Sequence, residues 1–226
     1  MNTQLCGPAS LLSTRLILVV LLCGAVGCDV EPPARGAASE EQVVLGSASH
    51  PATAEEAEAV AEQAEPVASA LMATLSGRLQ AAIREQGTAG ALEFCNVQAL
   101  PLTEQVSQEH GMAVTRTSLR LRNPANAPDD VDAEALAWFQ DRLATGEPPP
   151  AMHVRAVGDR SYRYYRPLLT AGQCLQCHGP RESMADDVLQ ALDEQYPEDE
   201  AVGYTEGEWR GLLRVSVPET AAPGSQ

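Results

Sequence analysis

Ala113-Val114-Thr115-Arg116-Thr117-Ser118-Leu119-Arg120-Leu121-Arg122 is where this 226-residue chain changes period. Arg116, Ser118, Arg120 and Arg122 fall on one side of an extended backbone, and Leu119 and Leu121 on the other. Such alternation marks a strand with one face buried. Upstream, by contrast, Val67, Leu71, Leu75, Leu79 and Ile83 recur every fourth residue, the spacing of an apolar stripe on a helix. It predicts a long N-terminal helix over residues 54–86 with Gly87 as its stop; Pro66 either kinks this helix or begins its ordered part. Two shorter helices are expected next. One covers 91–99, with Leu92 and Cys95 on one apolar stripe, and the other covers 103–110, stopped by Gly111.

Downstream of the alternating stretch, Asn123-Pro124-Ala125-Asn126-Ala127-Pro128 is a turn. A helix over 130–144 should follow, burying Leu136, Phe139 and Leu143. A hairpin is expected from Met152–Val157 and Arg160–Arg166 about Gly158-Asp159. A helix capped by Ser183 carries Met184, Val188 and Leu192 along one side. The last strand, 209–217, places Trp209, Gly211, Leu213, Val215 and Val217 on one face. Helices first, then strands interrupted by helices, predict an α+β fold with an antiparallel sheet. No internal repeat is visible.

Between the hairpin and the last helix stands Cys174-Leu175-Gln176-Cys177-His178, followed by Gly179 and Pro180. C-x-x-C-H is the attachment signature of c-type haem. Two thiols spaced by two residues reach two vinyl groups on one porphyrin edge, and the next residue offers an imidazole nitrogen to the iron. A zinc site would need a second Cys/His pair at ligand spacing, which the sequence lacks. A thioredoxin-type pair would open a helix after the first strand of a βαβ unit, whereas this motif lies late in the chain. All-helical haem proteins, including the four-helix bundles that carry the motif near the carboxyl end, do not accommodate the expected strands.

Formal charge is −16, with no lysine and fifteen arginines. So acidic a chain is poorly suited to nucleic acid, whose binding depends on phosphate neutralisation. The amino terminus has the form of an export signal: Arg15, an apolar run from Leu16 to Leu22, then Ala25-Val26-Gly27-Cys28. The run is too short for a membrane span. Small residues before Cys28 resemble a bacterial lipobox, with Ala25 in place of the usual leucine. Residues 1–27 are therefore expected to be a lipoprotein signal peptide, with Cys28 lipidated and the protein held on the periplasmic side of a membrane. Asp29 points to the inner membrane. Residues 28–53 read as a flexible tether that contains His50, residues 54–220 as one domain and 221–226 as a disordered tail.

After such processing only Cys95, Cys174 and Cys177 remain, so Cys95 has no disulfide partner if the other two hold haem. Alone on an apolar stripe it reads either as a small buried hydrophobe or as an iron ligand. His110, His153, Met112 and Met152 are the other candidate ligands. The arginines concentrate between Arg116 and Arg166, and arginine pairs with carboxylates through two parallel hydrogen bonds. Arg116, Arg120 and Arg122, on one strand face, are the first candidates to hold the two haem propionates.

Cys95-Asn96, Arg116-Thr117-Ser118, Arg122-Asn123-Pro124-Ala125-Asn126, Tyr164-Tyr165-Arg166-Pro167 and Cys174-Leu175-Gln176-Cys177-His178-Gly179 stand in one order. Together, over roughly residues 60–218, they resemble the family of PAS-like c-type haem domains long without an assigned function. The resemblance implies a PAS-like antiparallel sheet flanked by helices and one covalent haem c. It implies His178 as proximal ligand and Cys95 as distal ligand, with Arg122 to Asn126, including Asn123 and Asn126, near the haem. The expected function is a redox or gas sensor working through a separate signalling or redox partner, with a diatomic gas as the exchangeable ligand. An electron-transfer cytochrome is the alternative. A peroxidase-like enzyme, which would need an open iron position and a distal histidine such as His110 or His153, is the third.

Overall fold

The computed structural model describes residues 48–158 and 161–218. The expected signal peptide, Cys28, most of the tether, Asp159 and Arg160 of the hairpin turn, and the tail lie outside the described residues.

Helix α1 spans Ala54–His110. Thr53 caps it: its hydroxyl accepts from the Glu56 backbone N–H, and the Glu56 carboxylate accepts from the Thr53 backbone N–H. This reciprocal box satisfies two otherwise unpartnered donors of the first turn. At the far end Gly111 adopts φ 66°, a left-handed stop that costs glycine no Cβ clash. Gly87 has φ 76° and ψ 175°, so the helical path breaks there, where the four-residue stripe predicted an end. Beyond the break the two expected short helices are one, running through Pro101. Pro101 removes a hydrogen bond to the carbonyl of Val97, an exposed residue, where water can replace it. Pro66 likewise lies within the helix and does not begin it.

Five strands form one antiparallel sheet: β1 Ser49–Pro51, β2 Val114–Thr117, β3 His153–Val157, β4 Ser161–Leu169 and β5 Trp209–Pro218. Their order is β1-β3-β4-β5-β2. One face, with Val114, Val154, Tyr164, Leu213, Val215 and Val217, packs on the Val60–Leu75 stripe of α1. The other face, with Tyr165 and Leu212, packs on Ala135, Leu136 and Phe139 of helix α2, Asp130–Ala144. The sheet is thus covered by a helix on each side, the α+β arrangement expected. Helix α4, Asp186–Gln195, lays Val188 and Leu192, with Met184 beside them, against Leu92 beyond the break in α1.

Several local expectations are corrected. The strand expected over Ala113–Arg122 ends at Thr117. The backbone of β5 comes so close at Gly211 that a Cβ there would collide with the Thr117 carbonyl and stand 2.7 Å from the Ser118 Cβ. Ser118 then donates its hydroxyl to the Arg120 carbonyl at 2.6 Å, a local bond that competes with the ladder. Arg116, Arg120 and Arg122 therefore do not share a strand face. In β5, Leu168 pairs with Gly211 and Leu169 with Trp209, which leaves Arg210 as an extra residue. Such a bulge reverses the alternation. Trp209 consequently packs on the α2 side, its ring 6.0 Å from Phe139 and nearly parallel to it, and not on the side of Leu213. Ser183 does not cap α4; its hydroxyl donates to the Pro180 carbonyl, and the helix begins at Asp186. The last residues of the stretch read as tether, Ser49–Pro51, pair with β3 at the sheet edge.

Candidate functional site

Cys174, Cys177 and His178 are brought together by a 3-10 turn, Gly172–Cys174, that runs into the single helical turn α3, Leu175–His178. The turn ends at Gly179, where any Cβ would stand 3.3 Å from that of Leu175 and closer still to the Leu175 carbonyl oxygen. A loop from Tyr196 to Tyr204 closes behind it: Gly203 N–H donates to the Gly179 carbonyl at 2.6 Å and Tyr204 N–H to the His178 carbonyl at 2.9 Å.

His178 Nδ1 lies 2.7 Å from the Ala201 carbonyl oxygen. A carbonyl can only accept, so Nδ1 carries the proton and Nε2 keeps its lone pair. Arg210 Nε, at 3.4 Å from the same Nδ1, therefore makes no hydrogen bond to it. Burial, reinforced by Arg210 and Arg122, drives the imidazole well below its ordinary pKa and keeps it neutral. Its carbonyl partner is itself fixed, because Ala201 N–H donates to Asp199 Oδ1 at 2.8 Å. Asp199 Oδ2 accepts from Arg122 Nε and Nη2 at 3.0 and 2.8 Å, and Nη2 also donates to the Cys177 carbonyl. Both side chains of this pair are buried, 9 % and 2 % exposed.

These residues close one end of a cavity of about 230 Å³ between α1, β4, β5 and α3. Its walls are apolar, with Met72, Leu75, Leu79, Ile83, Leu92 and Phe94 from both halves of α1. Cys95, Cys174, Cys177, His178, Arg116, Arg122 and Arg210 also face it. A second cavity of about 100 Å³ adjoins the first, sharing Cys95, Arg116, Arg122, His178 and Arg210 and adding Asn123 and Asn126. Among the described residues no Asp or Glu lines either. Burial pushes the Cys95 thiol up against the opposing pull of the three arginines, and pushes Cys177 up to about 11.

The structure thus gathers Cys95, Cys174, Cys177, His178, Arg116, Arg122, Asn123 and Asn126 around two adjoining cavities, and separates Arg120 from them. The Arg120 guanidinium stacks 4.1 Å from the Tyr204 ring centroid, 3.9 Å from Glu208, in a different cleft with Leu119 and Trp209. His153 lies on the opposite face of the sheet, stacked 3.9 Å from Trp138, and His110 is exposed at the end of α1. Met112 and Met152 pack on the main core. Of the candidate distal donors named from sequence, only Cys95 reaches the cavity. Among the lining residues that escaped that reading are Met72, next to Leu71 of the predicted stripe but not part of it, and Arg210, which strict alternation assigns to the wrong side of β5.

A one-sheet α+β domain whose C-x-x-C-H turn closes an apolar, arginine-edged cavity defines the class. A model of the Tll0287-like family, described as Tll0287, matches residues 47–218, and the chain belongs to that family. Among solved structures, one described as "Crystal structure of the cyanobacterial heme-protein Tll0287" aligns at 23 % identity over 74 % of this chain and 98 % of that one, with a TM-score of 0.46. No curated protein sequence matches.

Proposed function

We propose that this protein carries one haem c bound through Cys174 and Cys177, with His178 and Cys95 as iron ligands, and serves as a membrane-tethered redox or gas sensor that reports to a separate partner. Haem binding as such is supported by membership of a family whose cyanobacterial relative is described as a haem protein. The observation that carries the finer reading is the convergence of both motif thiols, the unprotonated Nε2 of His178 and the Cys95 sulfur on one cavity. Its residues fit the group: aliphatic walls suit a porphyrin face, and Arg116 has a buried Nε without a partner. Bound there, a haem would supply a one-electron iron couple, held at low potential by thiolate, and an exchangeable position for carbon monoxide or nitric oxide. The protein's own part is to hold His178 in one tautomer, exclude water and place Cys95 on the segment of α1 beyond the Gly87 break. Loss of the Cys95 contact would free that segment, and a partner would read the change. With both His178 and Cys95 bound the iron would keep no open position, the exchangeable one arising only on loss of Cys95, and neither His110 nor His153 lines the cavity, so the proposal includes no catalysed reaction.

Tethering through Cys28 and a periplasmic location belong to the same proposal, supported by the Ala25-Val26-Gly27-Cys28 stretch. The decisive experiment is paramagnetic resonance of the ferric protein beside Cys95→Ala, with carbon monoxide added after reduction. Thiolate features lost in the variant, and carbon monoxide binding in the wild type, support the sensor. Identical low-spin spectra would remove Cys95 as a ligand. Thiolate ligation without gas binding would leave an electron carrier.

A further inference from the structure

Every buried or half-buried arginine among the described residues except two stands within 4.0 Å of a carboxylate. Arg122 has Asp199, Arg155 has Glu134, Arg163 and Arg214 share Asp132, and Arg166 has Glu65. Arg120 and Arg181, at the surface, have Glu208 and Asp193. The exceptions are Arg116 and Arg210. Both line the two adjoining cavities, and no carboxylate among the described residues stands in either wall, although the chain holds 31 acidic residues.

A guanidinium does not escape burial by deprotonating; it stays charged and requires acceptors. A buried cation without a counter-ion is costly, and native chains rarely leave one so. Here the Arg116 Nε is buried without any partner, and Arg210 Nε stands 3.4 Å from a histidine nitrogen that already carries a proton. Burial lowers the pKa of both arginines, Arg210 to about 10, the sign of positive charge held away from water. The fold also spends a device on this placement. Arg210 is the extra residue of the β5 bulge, and bulges re-aim a side chain.

We infer that Arg116 and Arg210 form a clamp for two carboxylates of a ligand lying in the cavity, and that Arg122, already paired with Asp199, is a positioning residue for the His178 turn. The inference rests on the haem reading for one of its two sources of carboxylate. The pair of propionates on the haem is one source, and the aliphatic walls favour it, since they suit an apolar body with an anionic edge. A free dicarboxylate is the other. Arg120, one of the three candidates by strand pattern, takes no part.

The test uses the full-length haem-loaded protein, the double variant Arg116→Gln/Arg210→Gln, and Arg120→Gln as control. Haem-to-protein ratio is measured first; attachment depends on Cys174 and Cys177, so the double variant should keep its haem. The propionate bending bands in resonance Raman should then shift in the double variant and not in the control. Glutarate, titrated by calorimetry, probes the second source: binding to the wild type that weakens at least about tenfold in the double variant, the loss of one charge-assisted hydrogen bond, supports a free dicarboxylate. Unshifted bands together with no arginine-dependent glutarate binding overturn the clamp. Wild-type protein without haem would defeat the functional reading instead, and the glutarate titration alone would then decide the clamp. Should the double variant not fold, the two single glutamine variants give the same readouts.

Discussion

His178 and Ala201 are joined by a 2.7 Å hydrogen bond from the ring Nδ1 to the backbone carbonyl, across 23 residues of chain. That bond selects the tautomer in which Nε2 can ligate a metal, and an outer partner of this kind also orients the ring. The carbonyl owes its position to Asp199, which receives the Ala201 N–H and the Arg122 guanidinium on its two oxygens.

Asp199→Asn should therefore cost both stability and ligand order. Removing one member of a buried ion pair strands the other, a loss of about 3 kcal/mol. Urea unfolding should show the drop, and the haem spectrum should become heterogeneous. A variant as stable as wild type would show that Arg122 finds other acceptors.

Gly211→Ala should fail more severely than its small size suggests. The residue has φ 156°, and the added Cβ would meet the Thr117 carbonyl and Ser118. Strain and collision together should cost more than ~2 kcal/mol. A thermal melt unchanged from wild type would mean that β2 can move away freely.

Phe139→Ala should destabilise the domain by about 3–5 kcal/mol, because the ring is fully buried between Trp138, Trp209 and Tyr165 on the α2 face. The cysteine turn lies off this face, so the ferric spectrum at low temperature should be unchanged. A spectral change would couple the α2 face to the cavity beside the cysteine turn.

His153 should make the protein acid-sensitive. Burial, with Arg155 and Arg142 nearby, lowers its pKa from 6.5 to about 4. The unfolded chain then binds this proton first, so the contribution is intact above pH 6.5, is lost progressively as pH falls, and levels off below about pH 4. Glu65 and Asp129, whose pKa values are also lowered in the folded state, act the same way but at lower pH, near and below their ordinary values. Comparing denaturation of wild type and His153→Phe between pH 6.5 and 4.5 isolates the histidine. Parallel stability curves would rule it out as the source.

The motif Cys174 to His178, the period switch after Gly111, the helix over 130–144 and the antiparallel sheet were all legible in the chain itself. Each rests on local spacing: a covalent attachment pattern, a four-residue stripe, a two-residue alternation. Cys95 was legible as an odd thiol, and Asn123 and Asn126 through family resemblance. What spacing could not foresee came from contacts between distant segments. Gly211 and Ser118 are 93 positions apart in sequence numbering, and their close approach cut β2 short and sent Arg120 away from Arg116 and Arg122. One extra residue in β5 reversed its alternation, turning Trp209 to α2 and Arg210 to the cavity. The tautomer of His178 depended on a carbonyl brought in by the loop after α4. Periodicity assigns side chains to faces only while the ladder stays regular; where it bulges or ends, packing decides which way each side chain points.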